Sequence, residues 1–174
     1  AKVYSFSRSF GVNVANSEDV IKALKEVYNK EKRIDFVINT AGILDKQALN
    51  NMSYEDIAKS ININYMGSIN VAKESFKYLK ESKGSLLFFT SSSYTRGRSL
   101  YSIYSSSKAA IVNLVQALSE EWFNDDVKIN CINPERTKTP MRIKNFGNEP
   151  ENTLLDSRTV AIVSINTLFT NLTG

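Results

Sequence analysis

The chain has 174 residues, 42% of them hydrophobic and 23% charged, enough for one domain with a sizeable core. A formal net charge of +4 permits anionic ligands without demanding nucleic acid, and the lack of any histidine removes His-based triads and His-rich metal sites, so no metal is expected. The single cysteine, Cys131, rules out an internal disulfide framework and fits a reducing, cytoplasmic setting, and no apolar run approaches the ~20 residues of a membrane span.

In chain order, two periods alternate. Residues 2–7, "KVYSFS", alternate as a strand, and 11–14, "GVNV", as a short second one. Residues 17–30 have helical spacing, with Asn16 or Ser17 as cap and Val20, Leu24, Val27 and Tyr28 as the apolar stripe. "IDFVIN" (34–39) is nearly continuous in apolar character, as in a parallel sheet covered on both faces. "SYED" (53–56) is a capping box with Asp in place of Glu, and it opens a helix running to about Lys80. Strand 85–90, helix 101–123, strand 127–132 and helix 153–170 follow. Cys131 lies within the last of these strands and is expected to be a buried structural thiol. No internal repeat, low-complexity segment or linker interrupts residues 1–174, which form a single domain.

Strand and helix alternating at this spacing predict an α/β fold, a doubly wound parallel sheet with right-handed crossovers. Ligands then bind beyond the carboxyl ends of the strands, after residues 39, 90 and 132. Those segments are "NTAG" (39–42), "TSSS" (90–93) and "PERTKTP" (134–140). "YSSSK" (104–108) begins a helix just after the second. On a helix, residues i and i+4 share a face, so Lys108 can reach beneath the Tyr104 ring. A nearby ammonium favours phenolate, which would lower the phenol's ordinary pKa of about 10 and make it a usable acid. Tyr28 and Lys32 have the same spacing, but they sit at a helix end away from that edge and are expected to be structural.

The ordered set resembles the short-chain dehydrogenase/reductase family. The family's Asn-Asn-Ala-Gly is "NTAG", its helical Asn motif is "NYMG" (64–67), and its catalytic serine, thirteen residues before the tyrosine, is Ser91. The resemblance implies that Tyr104 protonates a carbonyl oxygen as hydride arrives. Lys108 tunes Tyr104 and holds the nicotinamide ribose. Ser91 hydrogen-bonds the carbonyl, and Asn64 anchors a water that relays protons to Lys108. It also implies cofactor contacts from Asn13 and Val14 at the adenine, from Asn39, Ala41 and Gly42, and from Pro134, Thr137 and Thr139. In dinucleotide folds an acidic residue after the second strand binds the ribose 2′-OH, whereas an arginine accepts a 2′-phosphate. Here that position is "SRS" (7–9), so Ser7 and Arg8 point to NADP(H).

Two departures stand out. The seven glycines form no phosphate-binding Gly-rich loop, so the chain is expected to be a truncated domain lacking the family's first β-α unit and its last strand. The family's Pro-Gly turn is Pro134-Glu135, followed by Arg136, Lys138, Arg142 and Lys144, while Arg96 and Arg98 follow Ser91. Cations from two loops on one sheet edge suit a phosphate, so Arg96, Arg98, Arg136, Lys138 and Arg142, with Ser91, are the expected substrate-binding residues. Otherwise they are a solvated rim, or pair with Glu135 and Glu149.

"TSSSYTRGR" with "INPERTKTPMR" resembles more narrowly the reductase half of the bifunctional ribulose-5-phosphate reductase/CDP-ribitol pyrophosphorylases, which make activated ribitol for capsules or teichoic acids. That implies NADPH-dependent reduction of a phosphorylated ketose, with a cytidylyltransferase domain upstream in the same chain and a homo-oligomer packed through the long helices. Competing readings are a reductase of a lipid or carrier-linked carbonyl, and a nucleotide-binding regulator without turnover. No nucleic-acid or membrane partner is expected.

Overall fold

The computed structural model describes residues 1–174. Helix α1 spans Ser17–Glu31, and its first turn is closed by the Asn16 side chain, which accepts from the Glu18 amide at 3.0 Å. Strand β1 is Phe36–Asn39. The predicted capping box is real: the Ser53 hydroxyl accepts from the Asp56 amide and donates to its carboxylate at the start of α2, Tyr54–Ile61. Beyond it lie α3 (Gly67–Ser82), β2 (Ser85–Phe89), α4 (Ser102–Glu121), β3 (Lys128–Ile132), α5 (Pro140–Phe146) and α6 (Ser157–Leu168).

The three strands pair in parallel in the order β1-β2-β3, with Phe36 opposite Ser85 and Phe89 opposite Ile132. Side chains alternate across the sheet. Leu86, Phe88 and Ile129 point to the face covered by α3 and α4, where they join Val71, Leu79, Ile111 and Val115 in the main core. On that side α1 packs against α3. The reverse face meets α6, whose last carbonyl, at Leu168, accepts from the buried Ser85 hydroxyl. Helices on both faces of a parallel sheet make the expected Rossmann-like, doubly wound arrangement. Phe36 and Ile38, on the edge strand β1, stay 37% and 43% exposed on the reverse face.

Four expectations are corrected. Residues 2–7 and 11–14 form no strands. No neighbouring backbone takes up their ladder bonds, and alternation alone cannot hold a strand. Lys2 and Tyr4 instead reach the Glu31 carboxylate on α1, and Arg8–Phe10 curl into a 3-10 turn closed by Gly11 in the left-handed region (φ 80°). The helix expected from 53 to about 80 is interrupted by a π-helical turn at Asn62–Met66. A helix not anticipated, α5, forms where a loop was expected. Thr139 caps it, accepting from the Arg142 amide at 3.2 Å, Pro140 is its first residue, and Gly147 ends it. Cys131 is half-buried rather than buried, and that partial burial pushes the thiol pKa up, away from reactivity.

At the far end of the sheet, Thr173 and Gly174 run beside β3 and bond both backbone groups of Ile129. Tyr28 and Lys32 are structural, as expected. The phenol donates to Glu81, and Lys32 caps α1 in the left-handed region. No helix is long and apolar enough to cross a membrane.

Candidate active site

Because the strands are parallel, their carboxyl ends meet at one edge, and Asn39, Thr90, Ser91 and Pro134 gather there. The loop after β1 is shaped from within. The Asn39 side chain accepts from the Ala41 amide at 3.1 Å and approaches Ser68 on α3. The π-helical turn rotates Asn64 inward until it is 0% exposed. Its amide oxygen accepts from the Ile43 N–H at 2.8 Å, and its NH2 donates to the Ile43 carbonyl at 2.9 Å. Asn64 therefore grips the backbone just after Gly42. A Cβ on Gly42 would lie 3.2 Å from the Asn64 oxygen and 3.6 Å from the Lys108 Nζ, so glycine keeps that space open.

Ser91, two residues beyond β2, has extended backbone and caps a short 3-10 turn, Ser92–Tyr94. Its hydroxyl oxygen accepts from the Ser93 amide at 3.3 Å and from the buried Ser93 hydroxyl at 3.1 Å. Both contacts use lone pairs, so the Ser91 proton is left to donate. Ser91, the serine chosen by spacing, thus rests on the buried Ser93.

Tyr104 and Lys108 lie one turn apart near the start of α4. Lys108 is 5% exposed, and its Nζ lies 5.6 Å from the centre of the Tyr104 ring and donates to the Phe89 carbonyl at 2.8 Å. Burial lowers its pKa from 10.5 to about 8. Thr90 secures the same turn by donating to the Lys108 carbonyl at 2.8 Å. The Tyr104 pKa moves opposite to the expected direction. Burial pushes the phenol up, the neighbouring Ser91 hydroxyl pulls it back, and Tyr101 adds to the rise. The ammonium lies 5.6 Å from the ring centre and donates to a carbonyl, and the phenol's own desolvation outweighs it.

The other expected residues fall into two groups. Ser7 and Arg8 sit on the exposed turn before α1, and Arg8 has no carboxylate partner. Asn13 and Val14 are tied to neighbouring helices. The Asn13 amide donates to Asp19, the Val14 carbonyl accepts from Asn70, and the Val14 side chain packs against Gly67 at the head of α3. Beyond β3, Thr137 bridges to Leu155 and Thr139 caps α5.

The cations divide. Arg142 is held by both oxygens of Glu149 at 2.6 and 2.8 Å, Arg136 reaches the same carboxylate at 3.9 Å, and Lys138 pairs with Glu151. Pairing with Glu149 is thus seen, and pairing with Glu135 is not. Arg96 and Arg98 are exposed and make no ion pair, next to Leu100, which has a left-handed backbone (φ 69°). Three residues that periodicity did not single out complete the edge: Tyr101, Phe146 and Lys46. Tyr101 contacts both Tyr104 and Phe146, and Lys46 and Arg142 each approach the Phe146 ring. No sequence pattern joins them, because they come from three separate segments. No cluster of three acidic or thiol side chains is placed to hold a metal ion.

Comparison with known proteins gives consistent results. The chain is 58% identical to the bifunctional ribulose 5-phosphate reductase/CDP-ribitol pyrophosphorylase of Haemophilus influenzae across 99% of its own length and 36% of that protein. It spans roughly a third to just over half of the length of the curated relatives it matches. Among solved structures it resembles a 3-ketoacyl-(acyl-carrier-protein) reductase from Brucella melitensis, complexed with NADH, with a TM-score of 0.83 at 20% identity, covering 90% of this chain and 69% of that one. An alcohol dehydrogenase from Thermococcus sibiricus, complexed with 5-hydroxy-NADP, gives 0.80 at 23% identity, covering 92% and 68%. The short chain dehydrogenase family profile matches residues 7–150, and with that match over most of its length the chain belongs to the short-chain dehydrogenase/reductase family.

Proposed function

We propose that the chain carries out NADPH-dependent reduction of ribulose 5-phosphate to ribitol 5-phosphate, feeding CDP-ribitol synthesis. The observation behind this is the Ser91–Tyr104–Lys108 site in a chain 58% identical, across 99% of its length, to a protein whose name includes that reduction. In the same protein we place a pyrophosphorylase, that is a cytidylyltransferase, domain, as in that relative.

The residues present suit a nicotinamide dinucleotide. Lys108 spends one of its three donors on Phe89, leaving others for a ribose. Arg8 is an exposed guanidinium without a carboxylate partner, suited to a 2′-phosphate. Gly42 leaves the floor beside Lys108 clear. The cofactor, when bound, supplies the hydride. The chain's own residues handle the oxygen. As negative charge builds on the former ketone oxygen, the free Ser91 proton hydrogen-bonds it and Tyr104 gives it a proton. The raised phenol pKa keeps Tyr104 protonated, ready to donate, until that charge develops. Asn64 holds the Gly42–Ile43 backbone in place and, as the family resemblance implies, contributes to the route by which a proton returns through Lys108.

We assign the family-implied cofactor contacts of Asn13, Val14, Asn39, Ala41, Pro134, Thr137 and Thr139 to the same ligand, and substrate contacts to the basic edge. Self-association through α2–α4 follows from the same resemblance, with Tyr54 and Met66 exposed on that side; a monomeric mass by light scattering would exclude it. The deciding experiment measures NADPH oxidation by the intact protein with ribulose 5-phosphate and with unphosphorylated ribulose. Strong preference for the phosphate ester supports the assignment. Equal rates keep the reductase and discard the phosphate site. Inactivity with both discards the ketose assignment.

A further inference from the structure

We propose that Lys46 is the residue that recognises the substrate's phosphate group, an inference that rests on the ketose-phosphate reading above. Neither its neighbours in sequence nor its spacing to the catalytic residues marks it. Its position does. Lys46 lies four residues beyond Gly42, on the loop that Asn64 grips, and the buried Leu44 anchors its base. Its Nζ stands 4.6 Å from the centre of the Phe146 ring and 3.4 Å from the Asn145 carbonyl. Phe146 meets Tyr101 edge-on at 6.0 Å, and Tyr101 meets Tyr104 at 6.3 Å. An aromatic row therefore runs from the reacting phenol to Lys46, one wall of a path from the ketone to the far end of a sugar chain.

The charges on this edge single out the same residue. Arg142 is engaged by both Glu149 oxygens, Arg136 shares that carboxylate, and Lys138 is taken by Glu151. Lys46 faces the same ring as Arg142, yet neither the adjacent Asp45 nor any other carboxylate pairs with it. Its one long contact to a carbonyl leaves most of its donor capacity for an anion. Arg96, Arg98 and Lys144 are also unpaired, but no contact links their side chains to the row leading from Tyr104. Lys46 is thus the free cation with a traced connection to the reaction centre. Arg142, clamped by Glu149, is the wall beside it.

The test compares kcat/KM for ribulose 5-phosphate and ribulose in the full-length wild type, Lys46→Met and Lys46→Arg. Lys46 is exposed, so neither change disturbs the core. Loss of a charge-assisted phosphate contact should cut the preference for the phosphorylated ketose by about tenfold or more, mainly through KM, and Lys46→Arg should retain most of it. A preference unchanged in Lys46→Met overturns the assignment. So does an equal fall for both ketoses, which would mark the lysine as structural. A wild type that shows no preference, or reduces neither ketose, overturns the phosphate reading itself and this inference with it.

Discussion

Lys108 is a buried cation with a single carbonyl partner, and it should leave a measurable imprint on stability. Moving its pKa from 10.5 to about 8 corresponds, at 1.36 kcal/mol per pH unit, to about 3 kcal/mol of cost for carrying the charge in the folded state. The folded pKa lies below the unfolded one. Between the two, the unfolded chain binds more protons than the native chain, so stability rises with pH. The cost is fully present below about pH 8 and is relieved as pH approaches about 10.5. Lys108→Met removes the titration. Urea denaturation of the intact wild type and the variant, compared from about pH 7 to about pH 10.5, should show the wild type gaining about 3 kcal/mol relative to the variant, chiefly above about pH 8. The lost bond to Phe89 shifts the difference by a nearly constant amount, because neutral lysine also donates. A difference that stays flat across this window would refute the reasoning, since the ammonium would then be keeping its water. In the wild type, reduction that needs charged Lys108 should also decline as pH rises through about 8.

Tyr104→Phe should lower kcat by about two to four orders of magnitude while leaving NADPH binding, followed by fluorescence, within a few-fold. Residual turnover near wild type would exclude Tyr104 as the acid. Arg8→Glu places a carboxylate where a 2′-phosphate would lie, so the NADPH-over-NADH ratio in kcat/KM should fall by about tenfold or more. An unchanged ratio would place the discriminating residue elsewhere. Gly84→Ala should cost about 2 kcal/mol or more in thermal or urea unfolding, because the added methyl would overlap the Asp35 carbonyl between β1 and β2. Wild-type stability would mean that this turn can open.

Much of the edge could be read from the chain because local rules govern it. The apolar run at 85–89 is a strand because both of its faces are covered, and Tyr104 sits over Lys108 because four residues make about one helical turn. The Asn16 and Ser53 caps are equally local. The Thr139, Pro140 and Gly147 signals for α5 were also present, but a stretch of only seven residues has too little periodicity to stand out. Other features depended on partners distant in sequence. "KVYSFS" alternates like a strand, yet a strand exists only where another backbone accepts its bonds, and here Glu31 takes its side chains instead. The π-helical turn that buries Asn64 is set by the Ile43 backbone it must reach.

The chain by itself determined the class of fold, the sheet edge where the candidate site gathers and the order of Ser91, Tyr104 and Lys108 along it, since periodicity and short-range spacing are properties of neighbours. Tertiary structure alone decided which charges remain free. Glu149 and Glu151 claim Arg136, Lys138 and Arg142 and leave Lys46 unclaimed. Burial sets the Lys108 pKa near 8 and raises that of Tyr104. Charge pairing and desolvation depend on distance in space, and no spacing along the sequence encodes them.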